Sequence, residues 1–426
     1  MRRIIEDLTP LNRVLCSADY DASVDYLREL LPFKVLEYAK KDEFNGWIIP
    51  PRWDPTRATI SRNGQIIYDA LAGPLRIIVL STPFHGTVDL EELKAHLHYD
   101  RRYPDAVPYH FRQEYRSWER DWGFCVTREF YDSLKPGHYE VDIDTVEEQG
   151  SLKVLEYTHR GKLPERIVLM SHLDHPGMSN DGLAGCAVGV EVMKRLQGRE
   201  TKFSYSLFLH QEIIGSEYFL GYLPPEERDL ILEGLFLEML GTETQIGLQG
   251  PPTGFCRIEE SLSRALSEMN VDFRRGGYGD IVVNGEYIWA GYGIPVASFS
   301  RYPYPEYHCD KDNPGIITEA ALNESAEALL GAIDDLENAA VVHKRFEGNI
   351  CTSNPTYDLY VDPGQPALGS VDGDERTRKL RELMERIPLL HKATRVSEIA
   401  GRVGLDEETA LDYLREWEKK GLLELL

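Results

Sequence analysis

Between residues 151 and 342, short apolar runs alternate with segments at helical spacing, and this alternation restricts the fold more than any other feature of the chain. Residues 151–157, 166–170, 205–209, 234–240 and 295–299 read as strands. Residues 183–196, 213–220, 259–269 and 318–342 read as helices set between and after them. Parallel strands need long crossovers, so a β–α–β–α order calls for an α/β fold: a mostly parallel sheet between helices. Residues 21–31 (helix) and 33–38 (strand) start the same layer. After Gly46 the texture turns strand-rich: 65–68, 75–80 and 137–143 are strand-like, with a short helix at 90–98.

The resulting division is an α/β domain of residues 1–45 and 150–350, interrupted by a β-rich insert at 46–149. A Pro-, Gly- and Asp-rich linker (351–374) leads to a small unit at 375–426. Its helices at 375–387, 396–403 and 407–419, with Gly404 at a turn, follow a winged-helix pattern. The last helix begins Asp406-Glu407-Glu408 and adds Asp412, Glu416 and Glu418, which would repel phosphates. Packing or homo-oligomer formation is the expected role, with no nucleic-acid partner.

Charge supports that exclusion. With 47 basic against 71 acidic residues the net charge is −24, unsuited to nucleic acid or an anionic membrane. No apolar stretch approaches the ~18 residues of a membrane span, and the N-terminus lacks a signal-type apolar run. The 6 cysteines contain no CxxC pair, so neither a disulfide framework nor a zinc knuckle is expected. The expected location is cytoplasmic.

The chemistry gathers at predicted strand ends. After the 166–170 strand come His172, Asp174 and His175, then Asn180-Asp181-Gly182 at the start of a helix. Ligands of open α/β sheets bind at such carboxyl ends. Imidazole and carboxylate together suit a divalent metal, most often zinc; a polar loop with Asp181 as N-cap is the plainer alternative. Three more strand ends tilt the balance: Gln211-Glu212 after 205–209, Glu238 in the 234–240 run, and His308 beyond 295–299. Two imidazoles and three carboxylates are what a pair of hydrolytic ions needs, bridged by a short carboxylate on a tight turn. Asp181 suits the bridge, and His172 and His308 would each hold one ion. Asp174 would accept a hydrogen bond from the far nitrogen of His172 or its neighbour. His175 and His210 read as local hydrogen-bonders, and Asp312 either supports His308 or opens the following helix.

In order, these motifs resemble the co-catalytic zinc aminopeptidases. More closely, Ser171 to Pro176 with Asn180-Asp181, Gln211 to Ser216, and Pro305 to His308 are similar to the uncharacterised aminopeptidase-like proteins associated with polysaccharide biosynthesis. The resemblance extends to Trp47–Trp53 and Trp122–Cys125 in the insert and to the C-terminal unit. It implies that His172 and Glu238 complete one zinc site and His308 with Glu212 the other, bridged by Asp181. The family's general base is usually a Glu immediately before the metal-binding Glu, and here that position holds Gln211. Either Glu212 is the base and one ion has fewer ligands, or Glu212 is a ligand and the base lies elsewhere. The expected function is a zinc-dependent hydrolase of a peptide or amide bond acting on a small substrate, with Glu212 and Asp174 as catalytic residues. The alternative is a non-catalytic metal-binding or assembly protein on the same fold, which Gln211 favours.

Overall fold

The computed structural model describes residues 1–39, 44–362 and 375–426. They form two compact units. The first comprises Met1–Gly161, Arg166–Arg199 and Ser204–Ile333, the second Lys162–Glu165, Glu200–Phe203 and Asp334–Leu426. Residues 363–374 of the expected linker lie outside the described residues.

The first unit is built on an eight-stranded sheet. Its strands lie in the order Lys34–Ala39, Ser151–His159, Ser204–His210, Arg166–His172, Ile231–Glu238, Val296–Ser300, Ile246–Gln249 and Phe273–Gly276. The four from Ser204–His210 to Val296–Ser300 run parallel. Helices cover both faces of these strands: Gly185–Leu196 packs against Leu207 and Leu237 on one, and Ile214–Tyr222 brings Phe219 and Leu220 against Phe208 and Phe236 on the other, so almost every residue along them is buried.

The sheet is mixed rather than mostly parallel: Ser151–His159 runs antiparallel to both of its neighbours, and Ile246–Gln249 runs antiparallel to Val296–Ser300. Chain length explains this. The links at 160–165 and 239–245 are too short for a crossover helix, so these strands cannot lie parallel beside the strands they connect to.

The strand-rich segment forms its own antiparallel sheet, in the order Gln65–Asp69, Arg52–Arg62, His138–Glu148, Phe84–Asp89. Alternate residues Tyr139, Val141 and Ile143 point into a core with Trp53, Ala58 and Ile60. The expected strand at 75–80 does not form; its only ladder contact is the Ile77–Phe124 bridge. The apolar run is buried as anticipated, but side chains take the carbonyls at its end and just beyond it. Gln113 donates to Val79 O at 3.2 Å, Arg120 to Leu80 O at 2.8 Å and Trp53 to Ser81 O at 2.9 Å.

In the second unit, Glu375–Arg386, Val396–Val403 and Glu407–Lys419 are helices, and Thr394–Arg395, Val341–Lys344 and Leu423–Leu425 form a three-stranded sheet. Gly404 takes the left-handed conformation that ends one helix, and Asp406 caps the next through Thr409 N at 2.7 Å. Leu383, Val396, Ile399, Leu414 and Trp417 fill its core. Among the described residues, no helix is long and apolar enough to cross a membrane.

One glycine sets the distance between sheet and helix. A Cβ on Gly185 would lie 1.9 Å from Leu237 O and 2.5 Å from Ser171 Oγ. Gly185→Ala must therefore push the Gly185–Leu196 helix off the strands, costing about 1–3 kcal/mol. Urea unfolding should show a lower midpoint at unchanged slope; an unaltered midpoint would contradict this packing.

Candidate metal centre

The parallel strands deliver His172 and Glu238 to one edge, each as the last residue of its strand. Asp181 arrives on a tight turn, Asn180–Ala184, that opens the Gly185–Leu196 helix. The turn needs Gly182. Its φ is +89°, and a Cβ there would meet His172 O at 2.6 Å and the imidazole at 2.8 Å. Asp312 fixes the turn by accepting from the backbone N–H groups of Ser179, Asn180 and Asp181 at 3.1, 2.7 and 3.0 Å, and from Tyr304 OH at 2.7 Å. Asn180 in turn accepts from Gly241 N at 2.8 Å. The loop between His172 and Asp181 wraps around Arg13, a fully buried guanidinium that donates to the carbonyls of Leu173 (3.0 Å), His175 (2.5 Å) and Met178 (3.0 Å).

Two triads share Asp181. On one side His172 Nε2 lies 3.1 Å from Asp181 Oδ1 and 3.1 Å from Glu238 Oε2. On the other, Asp181 Oδ2 lies 3.1 Å from His308 Nε2 and 3.9 Å from His175 Nε2. The sets His172/Asp181/Glu238 and His175/Asp181/His308 each bring their ligand atoms close enough to hold one ion. Asp174 sits behind them. Its Oδ1 accepts from Glu212 N at 2.9 Å and lies 3.5 Å from His172 Nδ1, so it stands between the imidazole and the Gln211-Glu212 turn.

The buried charges respond strongly to one another. Burial opposes an imidazolium at His172, but Glu238, Asp174 and Asp181 outweigh it and hold the group well above the ordinary imidazole range. Asp181 is held well below the carboxylate range, because His175, His172 and His308 overcome its burial. Burial pushes Glu238 up to about 7, against the pull of His172. Burial takes His175 down to about 3, against the opposing pull of Asp181 and Asp174. Glu212 is raised to about 8 by burial, with His172 opposing and Asp174, Asp181 and Glu238 adding; its side chain stays 22% accessible, so water screens part of this.

The donor set fits a pair of cations. Asp181 Oδ2 and both Glu238 carboxylate oxygens are buried without a hydrogen-bond donor, a costly state that a bound ion relieves. Imidazole nitrogen with carboxylate oxygen suits zinc. The cluster of His85 with Asp142 and Asp144 is different: His85 is exposed, and Arg57 pairs with both carboxylates at 3.0 and 2.5 Å.

The residues singled out in the sequence thus meet at one edge, with two differences in detail. His175, read as a local hydrogen-bonder, lies in the second triad. Its spacing of three from His172 on a strand-end loop is the signal that could have found it. Glu212 belongs to neither triad; its Oε2 is 3.5 Å from His175 Nε2 and its side chain faces the cluster from the side. Gln211 turns away, donating to Leu15 O at 3.0 Å. His210 is the local hydrogen-bonder expected, contacting Gln211 O at 2.7 Å and Ser216 Oγ at 3.3 Å. Asp312 supports the Asp181 turn. Tyr109 and Tyr115, which sequence reasoning did not single out, come from the strand-rich segment: the Tyr109 ring lies 5.0 Å from His175, and Tyr115 OH donates to Glu212 O at 3.4 Å.

Comparisons with known proteins agree with this architecture. A Clostridium acetobutylicum protein, provisionally named for polysaccharide biosynthesis with an aminopeptidase-like domain, is 29% identical over 343 residues, covering 79% of this chain and 77% of its own. The crystal structure of a provisionally named peptidase from the same species matches with a TM-score of 0.76 and 25% identity, over 100% of this chain and 96% of that one. BSAP, a zinc aminopeptidase from Bacillus subtilis, shares the fold with a TM-score of 0.59 at 15% identity, over 79% of this chain and 94% of its own. The first unit therefore has a zinc-aminopeptidase-like α/β fold on a large mixed sheet. A family model described as a domain of unknown function, DUF4910, matches residues 2–339, and the chain belongs to that family.

Proposed function

We propose that this chain is a zinc-dependent hydrolase of a peptide or amide bond. The observation that carries the reading is the Asp181 carboxylate, whose two oxygens face separate imidazole sets across a buried, donor-poor site. His172, Asp181 and Glu238 would hold one ion, and His175, Asp181 and His308 the other. When bound, such ions polarise a carbonyl oxygen and ease the deprotonation of water. With His175 in the second triad, Glu212 is left free to act as general base: it would take the proton from the attacking water and return it to the leaving amine. Asp174 would hold that base in place through Glu212 N and orient His172 through Nδ1. Gln211 supports the rival non-catalytic reading only if its amide occupies the base position, and it is instead committed to Leu15 O.

The aminopeptidase fold and the similarity to a polysaccharide-biosynthesis protein support a small amino or N-acyl amide substrate. Around the second triad, Tyr307 stacks on His308 at 3.8 Å and Phe111 lies 5.4 Å from it, giving the substrate aromatic surfaces to pack on. In the second unit, the order helix, strand, helix, helix, strand over residues 375–425 supports a winged-helix reading. The acidic Glu407–Lys419 helix argues against nucleic-acid binding by this unit. The unpaired thiols, five of them buried, support a reducing cytoplasmic setting.

Purified protein screened against aminoacyl and N-acyl amides should hydrolyse at least one class, lose activity on chelation and regain it with zinc. Full activity in metal-stripped protein would defeat the proposal. Glu212→Gln should lower kcat by ~10²–10⁴-fold with metal content unchanged, while Gln211→Ala should leave kcat within about tenfold of the parent. A larger loss in the Gln211 variant than in the Glu212 variant would assign the base wrongly. His175→Ala should reduce bound zinc from two ions to one, read by elemental analysis; two ions retained would remove His175 from the ligand set.

A further inference from the structure

His308 stands apart from the other members of the cluster. His172 and Glu238 end strands, and the backbone of Asp181 is held by Asp312. His308 instead lies well past the end of its strand at Ser300, with a left-handed φ of +60°. That conformation costs a non-glycine residue about 1–2 kcal/mol and persists only where surroundings impose it. Within its own loop, Asp312 N donates to Cys309 O at 3.0 Å and Cys309 Sγ to Glu306 O at 3.2 Å; neither bond reaches the His308 peptide.

The strand-rich segment supplies what the loop lacks. Tyr109 N donates to His308 O at 3.0 Å, and Asp310 N donates to Val107 O at 3.0 Å. Pro108 and Cys309 form a bridge between these bonds. The Asp310 side chain accepts from Val107 N at 2.9 Å, and Arg102 donates to Tyr307 O at 2.7 Å. Beyond the bridge, the rings of Tyr109 and Phe111 stand edge-on to the His308 imidazole at 5.5 and 5.4 Å. Tyr307, His308 and Asp310 are thus each bonded to residues 102–109, with Cys309 lying opposite Pro108 between them.

We infer that the strand-rich segment is a working part of the metal centre, its 102–109 stretch clamping the His308 loop in the pose that completes the second triad, with Asp310 as the positioning residue that locks the clamp. The inference rests on the two-ion reading above. Asp310 touches no ion. It acts through the Val107 peptide, so its loss should weaken one ion selectively.

Cobalt(II) titration of metal-stripped full-length protein, followed by its visible d–d absorption and by calorimetry, separates the cases. The parent should bind two ions. Asp310→Ala should keep the first and bind the second ~10–100-fold more weakly, the range expected when a supporting hydrogen bond is removed. Asp310→Asn keeps an acceptor oxygen for Val107 N and should bind both ions like the parent. Arg102→Ala, a change at a partly exposed side chain, should weaken the second ion in the same direction and tests the clamp without burying a hole. Parent-like binding of both ions in Asp310→Ala and Arg102→Ala would overturn the inference, as would equal loss in Asp310→Ala and Asp310→Asn. Failure of the parent itself to bind a second ion would instead overturn the functional reading beneath it.

Discussion

A buried carboxylate shared between imidazoles governs this molecule. Asp181 has two histidines on one oxygen's far side and one on the other's, and it has too few protein donors to satisfy it. Burying a charge in this way is costly unless it is paired, and removing one partner from such a set usually costs more than the pair contributes. Much of the surrounding structure exists to hold that group. Three backbone N–H groups converge on Asp312, Gly182 lets the turn lie against His172, and Arg13 gathers the carbonyls of the intervening loop. These contacts set the carboxylate with its two oxygens diverging toward separate donor sets.

The architecture makes this arrangement reachable. Parallel central strands put His172 and Glu238 on one sheet edge although they are far apart in sequence. The antiparallel flanks widen the sheet but carry none of the cluster. The strand-rich segment is not a passive decoration of this edge. Its backbone pairs with the loop that carries His308, and its aromatic rings stand against His175 and His308. Residues 107–111 of that segment thereby wall this side of the cluster.

Much of this was legible in the sequence, for identifiable reasons. His172 and Glu238 end or interrupt apolar strand patterns, where a polar residue without a role would be costly, and Asp181 and His308 lie in the segments that follow such strands. Helices such as Val396–Val403 and Glu407–Lys419 carry their own caps and were readable to the residue. What was not legible depends on tertiary contacts. Whether His175 faces the cluster is decided by how its loop wraps Arg13, a residue from the first turns of the chain. The 75–80 run is as apolar as a strand, yet Gln113 and Arg120 take the carbonyls at its end and pairing stops at the single Ile77–Phe124 bridge. The sheet's mixed sense follows from link lengths that periodicity does not weigh. Gln211 looked like a damaged base position, but its side chain faces Leu15, and the neighbouring Glu212 faces the cluster.

In the proposed centre Asp181 would bridge two ions, one held with His172 and Glu238 and the other with His175 and His308. Anomalous diffraction at the zinc edge from zinc-loaded crystals tests it most directly. Two peaks are expected, one on each side of the Asp181 carboxylate, with the second peak bonded to His175 rather than to Glu212. A single peak, or a second ion ligated by Glu212 with His175 turned away, would contradict it.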